Sequence, residues 1–221
     1  MMEDLDRVLY TKEELAACVE RLGKQISKDY AGEEIFAVCI LKGAVHFYSD
    51  LVRAIDVPVQ LDFMAASSYG ASTKSSGTVK ILKDLDFSVE GKHVLIIEDI
   101  IDSGLTLHYL LRIFKERGPA SVKLCALLDK PERRKAPVKI DYSGFTVPDE
   151  FLVGYGLDYA EKYRNLPCIG ILKKEIYTEQ PEKDNFLALR FKLLNQRFDD
   201  IIISYGARFY VLRGEGGRPI E

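Results

Sequence analysis

Val94-Leu95-Ile96-Ile97-Glu98-Asp99-Ile100-Ile101-Asp102-Ser103-Gly104-Leu105-Thr106 is the stretch on which the reading of the fold turns. Its opening is an unbroken apolar run, the kind that fills strands buried on both faces of a parallel sheet. Two adjacent carboxylates close the run, and a short loop then feeds a helix. Leu107, Leu110, Leu111 and Phe114 recur at helical spacing until Gly118-Pro119 supplies the stop. A strand that hands over to a helix through small hydroxyl and glycine residues is the form of an α/β unit, with any ligand expected beyond the strand's carboxyl end.

The flanking sequence repeats that form. Ile35 to Leu41 is a second apolar run, interrupted by Lys42-Gly43 and followed by a helical pattern over residues 44–55. Val59 to Ala66, Thr78 to Leu82 and Val122 to Leu128 read as further strands. Ahead of them, Thr11-Lys12-Glu13-Glu14 has the form of a capping box, and Leu15, Cys18, Val19, Leu22 and Ile26 place an amphipathic helix over residues 11–29. Strands alternating with helices predict an α/β fold with a mainly parallel sheet flanked by helices. Residues 131–150, with Pro131, Pro137 and Pro148, read as irregular, and Phe151 to Val153 and Ile169 to Leu172 as short late strands.

From residue 179 the texture changes. Glu179-Gln180-Pro181-Glu182-Lys183-Asp184 reads as a linker, Phe186 to Phe198 fits helix and strand nearly equally, and Ile201 to Tyr205 with Arg208 to Leu212 reads as a hairpin. The chain is therefore divided into a domain of residues 1–178 and a C-terminal extension, 179–221, of unknown role. Gly214-Glu215-Gly216-Gly217 has no helical pattern behind it and reads as a loose tail.

Composition narrows the function classes. Across 221 residues, 47% are hydrophobic and 29% charged, which excludes wholesale disorder, and a net charge of −3 gives no general surface for nucleic acid or membrane. The acidic opening Met1-Met2-Glu3-Asp4-Leu5-Asp6 lacks the pattern of a signal peptide, and no apolar run is long enough to span a bilayer, so a cytoplasmic protein is expected. Cys18, Cys39, Cys125 and Cys168 form no C-x-x-C pair, sit in apolar surroundings and read as buried thiols. His46, His93 and His108 are too scattered for a metal triad and read as structural, and Arg133-Arg134-Lys135 as a solvated charged loop.

The chemistry concentrates where the argument began. Ser103, Gly104 and Thr106 offer hydroxyls and backbone N–H groups at the positive end of a helix, a cradle for a monophosphate. Glu98 and Asp99 beside a phosphate would repel it, unless a ribose donates its hydroxyls to them and a hard cation such as Mg²⁺ bridges the charges. The inferred ligand is a metal-bound ribose phosphate.

The 94–106 stretch closely resembles the signature of the type I phosphoribosyltransferases, and its wording most resembles the hypoxanthine (hypoxanthine-guanine) phosphoribosyltransferases. Further motifs extend the resemblance over residues 3–177: Lys42-Gly43, Leu127-Leu128-Asp129-Lys130, and Asp149-Glu150-Phe151-Leu152-Val153-Gly154-Tyr155-Gly156-Leu157-Asp158-Tyr159 followed by Tyr163-Arg164-Asn165-Leu166-Pro167. The resemblance implies a phosphoribosyltransferase-type parallel sheet with a small hood built from the N-terminal helix and the late strands. It implies transfer of ribose 5-phosphate from phosphoribosyl pyrophosphate to N9 of hypoxanthine or guanine, dependent on Mg²⁺, in purine salvage. Asp102 would act at purine N7, Glu98 and Asp99 would hold the ribose hydroxyls and metal, and Asp102, Ser103, Gly104, Leu105 and Thr106 the 5-phosphate. Lys42, Gly43 and Arg164 would bind pyrophosphate. Lys130 would select the 6-oxo group, Phe151 stack on the base, Leu152 contact it through its backbone, and Asp158 serve a second metal beside the base. Ser68 and Tyr69, in the polar loop 67–77, would belong to a lid that closes over bound substrates. A homo-oligomer, dimer or tetramer, is implied as well. A xanthine- or pyrimidine-directed transferase and a non-catalytic sensor of phosphoribosyl pyrophosphate are the competing readings; Lys130 and Phe151 argue against a pyrimidine, and Asp102 against the sensor.

Overall fold

The computed structural model describes residues 1–68, 79–178, 200–205 and 208–213. Contacts divide the chain into two units, Met1–Lys173 and Lys174–Glu221. In the first, the strand Leu5–Tyr10 (β1) precedes the helix Lys12–Asp29 (α1). The helix starts where the capping box places it: Glu14 N donates to Thr11 Oγ1 at 3.3 Å and Thr11 N donates back to Glu14 Oε2 at 2.8 Å. Ile35–Leu41 (β2), Val45–Arg53 (α2), Val59–Ser68 (β3), Val79–Lys83 (β4), His93–Ile101 (β5), Leu105–Glu116 (α3) and Ser121–Asp129 (β6) follow, each overlapping its expected element. Tyr142–Thr146 (β7), Leu152–Val153 (β8) and Ile169–Leu172 (β9) complete this unit.

The main sheet has the order β4-β3-β2-β5-β6-β7, parallel throughout except for the antiparallel edge pair of β3 and β4. Period-2 alternation explains why its inner strands are apolar without interruption. Ile35, Ala37 and Cys39 enter one core with Leu95 and Ile97, beneath α1 and α2, while Phe36, Val38 and Ile40 enter a second core with Val94 and Ile96, beneath α3. Each fully buried aliphatic side chain contributes roughly 1.5–3 kcal/mol relative to exposure. All four cysteines are buried and free, as expected, and burial pushes the Cys39 thiol up to about 12.

Three expectations change. The hood is a three-stranded antiparallel sheet, β1-β9-β8, so the N-terminal strand supplies it, while α1 packs on the main sheet through Leu15, Cys18, Leu22 and Ile26. β1 escaped the pattern reading because its sequence, Leu5-Asp6-Arg7-Val8-Leu9-Tyr10, alternates poorly and is bulged twice against β9. The stretch 131–150, expected to be irregular, contains β7, which extends the sheet in parallel beside β6. β3 and β5 run further than expected, to Ser68 and Ile101.

The second unit has the helix Lys174–Thr178 (α4) and the expected hairpin, Asp200–Tyr205 (β10) against Arg208–Arg213 (β11), in antiparallel register from Asp200↔Arg213 to Tyr205↔Arg208. The linker 179–184, the segment Phe186 to Phe198 and the tail Gly214 to Gly217 lie outside the described residues.

Among the residues whose burial is described, both hydrophobic clusters lie within the first unit, and Leu172 is the last core residue. Truncation after Thr178 should therefore preserve a cooperative melting transition. Calorimetry should find Tm displaced by less than about 4 °C, the size that about 1 kcal/mol produces in a chain of this length. A non-cooperative melt would show that the extension completes the core.

Candidate active site at the carboxyl edge of the sheet

The crossover β2-to-β3 runs toward one edge of the sheet and β5-to-β6 toward the other, so the strand order reverses between β2 and β5. Pairing of these two neighbours stops at Cys39↔Ile97, although β2 continues beside β3 to Leu41↔Ala65 and β5 beside β6 to Ile101↔Asp129. The sheet thus parts at its carboxyl edge, at the reversal of strand order where open α/β sheets take their ligands. A cavity of about 330 Å³ fills the gap, lined on one lip by Lys42 and Gly43 and on the other by Glu98 through Gly104, with Thr106, Asp158 and Arg164.

Backbone contact sets the shape of this cavity. A side chain on Gly43 would put its Cβ 1.6 Å from Asp99 Oδ2, and one on Gly156, at φ +107°, would put it 1.9 Å from the Gly43 carbonyl oxygen. Gly156, Gly43 and Asp99 are therefore stacked with no room for a methyl group. The peptide bond between Leu41 and Lys42 is cis. Arg164 Nη1 donates to the Gly156 carbonyl at 2.8 Å, and its Nη2 pairs with Asp158 Oδ1 at 2.8 Å. Glu161 pairs with both Arg164 and Lys42, at 3.3 and 3.2 Å.

On the opposite lip, Gly104 precedes α3 at φ 75° and makes no side-chain cap; Leu105 N donates to Ser103 Oγ at 3.4 Å, and the first-turn N–H groups after it are available to an anion. Glu98 Oε2, Asp102 Oδ1 and Arg164 Nε are buried without a hydrogen-bond partner among the described residues. Asp102 Oδ1 does lie 3.2 Å from Arg133 Nε, an ion pair without hydrogen-bond geometry. Burial, reinforced by the neighbouring Asp99 charge, pushes the Glu98 carboxyl well above its usual range. Burial also lifts Asp99, to about 6, against the opposing pull of the Ile100 N–H, which donates to Asp99 Oδ1 at 2.7 Å, and of the Arg164 charge. A half-buried acid pair that resists full ionisation is suited to a cation and to donor hydroxyls. Among the described residues no three or more His, Cys, Asp or Glu side chains converge as a metal cluster.

Lys130, Phe151 and Leu152 are not among the residues lining that cavity: Lys130 follows the next strand of the sheet, β6, while Phe151 and Leu152 lie at the start of β8 in the hood. The Lys130 backbone N–H donates to Ile101 O at 3.0 Å. The residue is 5% exposed, with Nζ donating to Glu150 O at 2.9 Å and lying 3.5 Å from Asp149 Oδ1. Phe151 is exposed, with Tyr159 edge-on at 5.4 Å, and Leu152 lies in β8 opposite Ile171. Ser68 ends β3, and Tyr69 with the rest of the expected lid to residue 77 lies outside the described residues.

The reading of Arg133-Arg134-Lys135 as a solvated loop fails for Arg134. This half-buried guanidinium pairs with Asp129 and donates to the carbonyls of Asp102 at 3.3 Å and Ile101 at 3.5 Å. Lys135 N and Ala136 N both donate to Ser103 O, at 2.9 and 3.1 Å. The segment after β6 thus braces the loop that carries Asp102 and the helix N-terminus. A basic run normally marks a solvated face, and nothing in its pattern distinguishes the residue that turns inward.

Comparison with known proteins agrees with this geometry. The phosphoribosyl transferase domain family matches residues 8–160. The chain is 55% identical over 177 residues to the hypoxanthine-guanine phosphoribosyltransferase of Bacillus subtilis (strain 168), covering 80% of this chain and 98% of that one. It is 51% identical over 177 residues to the protein of the same name from Streptococcus thermophilus (strain CNRZ 1066), again 80% and 98% covered. The crystal structure of a hypoxanthine phosphoribosyltransferase from Staphylococcus aureus superposes with a TM-score of 0.79 at 49% identity, covering 80% of this chain and 97% of that one.

Because Glu98 and Asp99 hold protons more tightly in the folded chain than in the unfolded one, the native state binds the extra protons and this pair lowers stability as pH rises. For Asp99 the loss runs from its ordinary value of 3.8 to about 6, and for Glu98 it begins above 4.5. With a chelator present, Glu98→Gln should therefore be more stable than the parent at pH 7.5, the difference closing toward pH 4. Urea melts at the two pH values measure this, and a variant that is less stable at pH 7.5 would contradict it.

Proposed function

The chain belongs to the phosphoribosyl transferase family, and from that premise we infer that it transfers ribose 5-phosphate from phosphoribosyl pyrophosphate to N9 of hypoxanthine or guanine. The products are IMP or GMP and pyrophosphate. The bond from ribose C1 to the pyrophosphate oxygen breaks, the bond from C1 to N9 forms, and the purine gives up one proton. The observation that carries this reading is the convergence, around one cavity at the reversal of strand order, of an acid pair, an uncapped helix N-terminus, Lys42-Gly43 and Arg164.

Each residue has work that its position allows. Ser103, Gly104, Leu105 and Thr106, with the backbone of Asp102, bind the 5-phosphate at the start of α3. Glu98 and Asp99 accept the ribose hydroxyls, and their oxygen-only donor set with the orphaned Glu98 Oε2 fits Mg²⁺. Asp158, paired with Arg164, fits a second ion. When bound, the metal neutralises charge on the pyrophosphate group. Lys42, Gly43 and Arg164 hold that group as it leaves with negative charge. Asp102 moves the proton at purine N7, Lys130 donates to the 6-oxo group in place of the Glu150 carbonyl, Phe151 stacks on the base and Leu152 meets its edge. Ser68 and Tyr69 belong to the lid that excludes water.

This domain is assigned to residues 1–178, with 179–221 as an appendage. Among the described residues no helix is long and apolar enough to cross a membrane. A cytoplasmic location and assembly as a homo-oligomer, dimer or tetramer, accompany the reading, with small molecules as partners and neither nucleic acid nor membrane.

A coupled spectrophotometric assay with hypoxanthine, guanine, xanthine and adenine, with and without Mg²⁺, tests it; turnover of adenine alone, or none at all, would overturn it. Asp102→Asn should lower kcat by roughly 10²–10⁴-fold, the usual worth of a positioned proton-transfer group, while KM changes little. An unchanged kcat would remove Asp102 from the chemistry. Lys130→Gln should erode the preference for hypoxanthine over adenine by at least about tenfold, because a carboxamide can also accept from a 6-amino group. Retained selectivity would place the discrimination elsewhere.

A further inference from the structure

Tyr155 occupies a backbone conformation that its side chain disfavours. It stands at φ 49°, between Gly154 at φ 99° and Gly156 at φ 107°, where a third glycine would meet no steric objection. Its N–H donates to Leu166 O at 2.9 Å, and Gly156 N donates to Arg164 O at 2.9 Å, so this turn is tied along its length to the segment carrying Arg164. The phenol leaves the turn and donates to Asp50 Oδ2 on α2 at 2.6 Å, in a half-buried setting with His46 tilted against the ring. Burial and then the Asp50 carboxylate keep the phenol protonated, hence a donor. Arg53, also on α2, pairs with the same carboxylate.

α2 begins at Val45, directly after Lys42-Gly43-Ala44. The Tyr155–Asp50 hydrogen bond therefore joins the helix behind one lip of the cavity to the turn behind Arg164. Between them Gly156 sits so close on the Gly43 carbonyl that a Cβ there would meet its oxygen at 1.9 Å. We propose that Tyr155 and Asp50 are positioning residues, which lock Lys42-Gly43 and Arg164 at the spacing that receives pyrophosphate. This inference rests on the functional reading above and goes beyond it by naming residues that touch no substrate. The lock bears directly on one half of the cavity: it reaches the acid pair only through the Gly43–Asp99 contact, while the 103–106 cradle stands apart at the start of α3.

That asymmetry separates positioning from mere support of the fold. In the full-length chain, Tyr155→Phe keeps the ring and loses the donor. Titration calorimetry with Mg-pyrophosphate and with IMP reads the two halves separately. Loss of one hydrogen bond to a carboxylate should weaken pyrophosphate about three- to tenfold, and raise KM for phosphoribosyl pyrophosphate by a similar factor, while IMP affinity stays within about twofold. Asp50→Leu should reproduce the loss, and Asp50→Asn, which keeps an acceptor, should recover most of it; these two carry the test if Tyr155→Phe does not fold. Equal losses for IMP and pyrophosphate, or no loss for either, would overturn the inference and leave the functional reading standing. A parent chain that binds neither pyrophosphate nor phosphoribosyl pyrophosphate would overturn both.

Discussion

Two carboxylates that share one cavity with a helix N-terminus, one of them pressed by the backbone at Gly43, govern the rest of this structure. Glu98 and Asp99 cannot both ionise freely at the bottom of the cleft, and Asp99 is further fixed by contact with Gly43, itself wedged under Gly156. Such an arrangement costs stability in the empty chain and is satisfied by a ligand that brings hydroxyls, a cation and an anion together. The parting of β2 from β5 after Ile97 is what makes the room, and the two hydrophobic cores on either face of the sheet hold the lips of that parting in register.

Much of this was legible because it is local. The run Val94 to Thr106 carries a buried strand, the acid pair, a loop and a helix start in thirteen consecutive residues. Every one of those features follows from periodicity, charge and helix-capping rules without knowledge of distant contacts. The same holds for the capping box at Thr11, the doubly buried strand at Ile35 and the hairpin near Ile203. That Lys42 and Arg164 should face the same cavity is a tertiary fact, supplied at the sequence level only by the family resemblance.

What was hidden depends on long-range partners. Leu5–Tyr10 has its strand character conferred by Ile169–Leu172, more than 150 residues away, and reads as nothing in isolation. Tyr142–Thr146 contains a glycine and is bracketed by prolines, signals of a loop that the pairing with Cys125–Asp129 overrides. Arg134 has the same local surroundings as Arg133, yet one side chain is half-buried beneath the Asp102 loop and the other is exposed. Charge pattern cannot separate them, because the difference lies in which carbonyls the fold delivers to each.

Tyr155 illustrates the boundary between these cases. Its motif is conspicuous, but the phenol's partner, Asp50, sits on a helix 105 residues earlier, so the motif alone assigns the tyrosine no task. The left-handed backbone and the flanking glycines become informative only when the turn is seen pressed against Gly43. A site of this type has two layers. The groups that meet the ligand are written in short contiguous motifs, because loops at strand ends present consecutive residues to one cavity. The groups that hold those loops apart at the right distance are drawn from whatever elements the topology brings behind them, and they become visible only when the chain is folded.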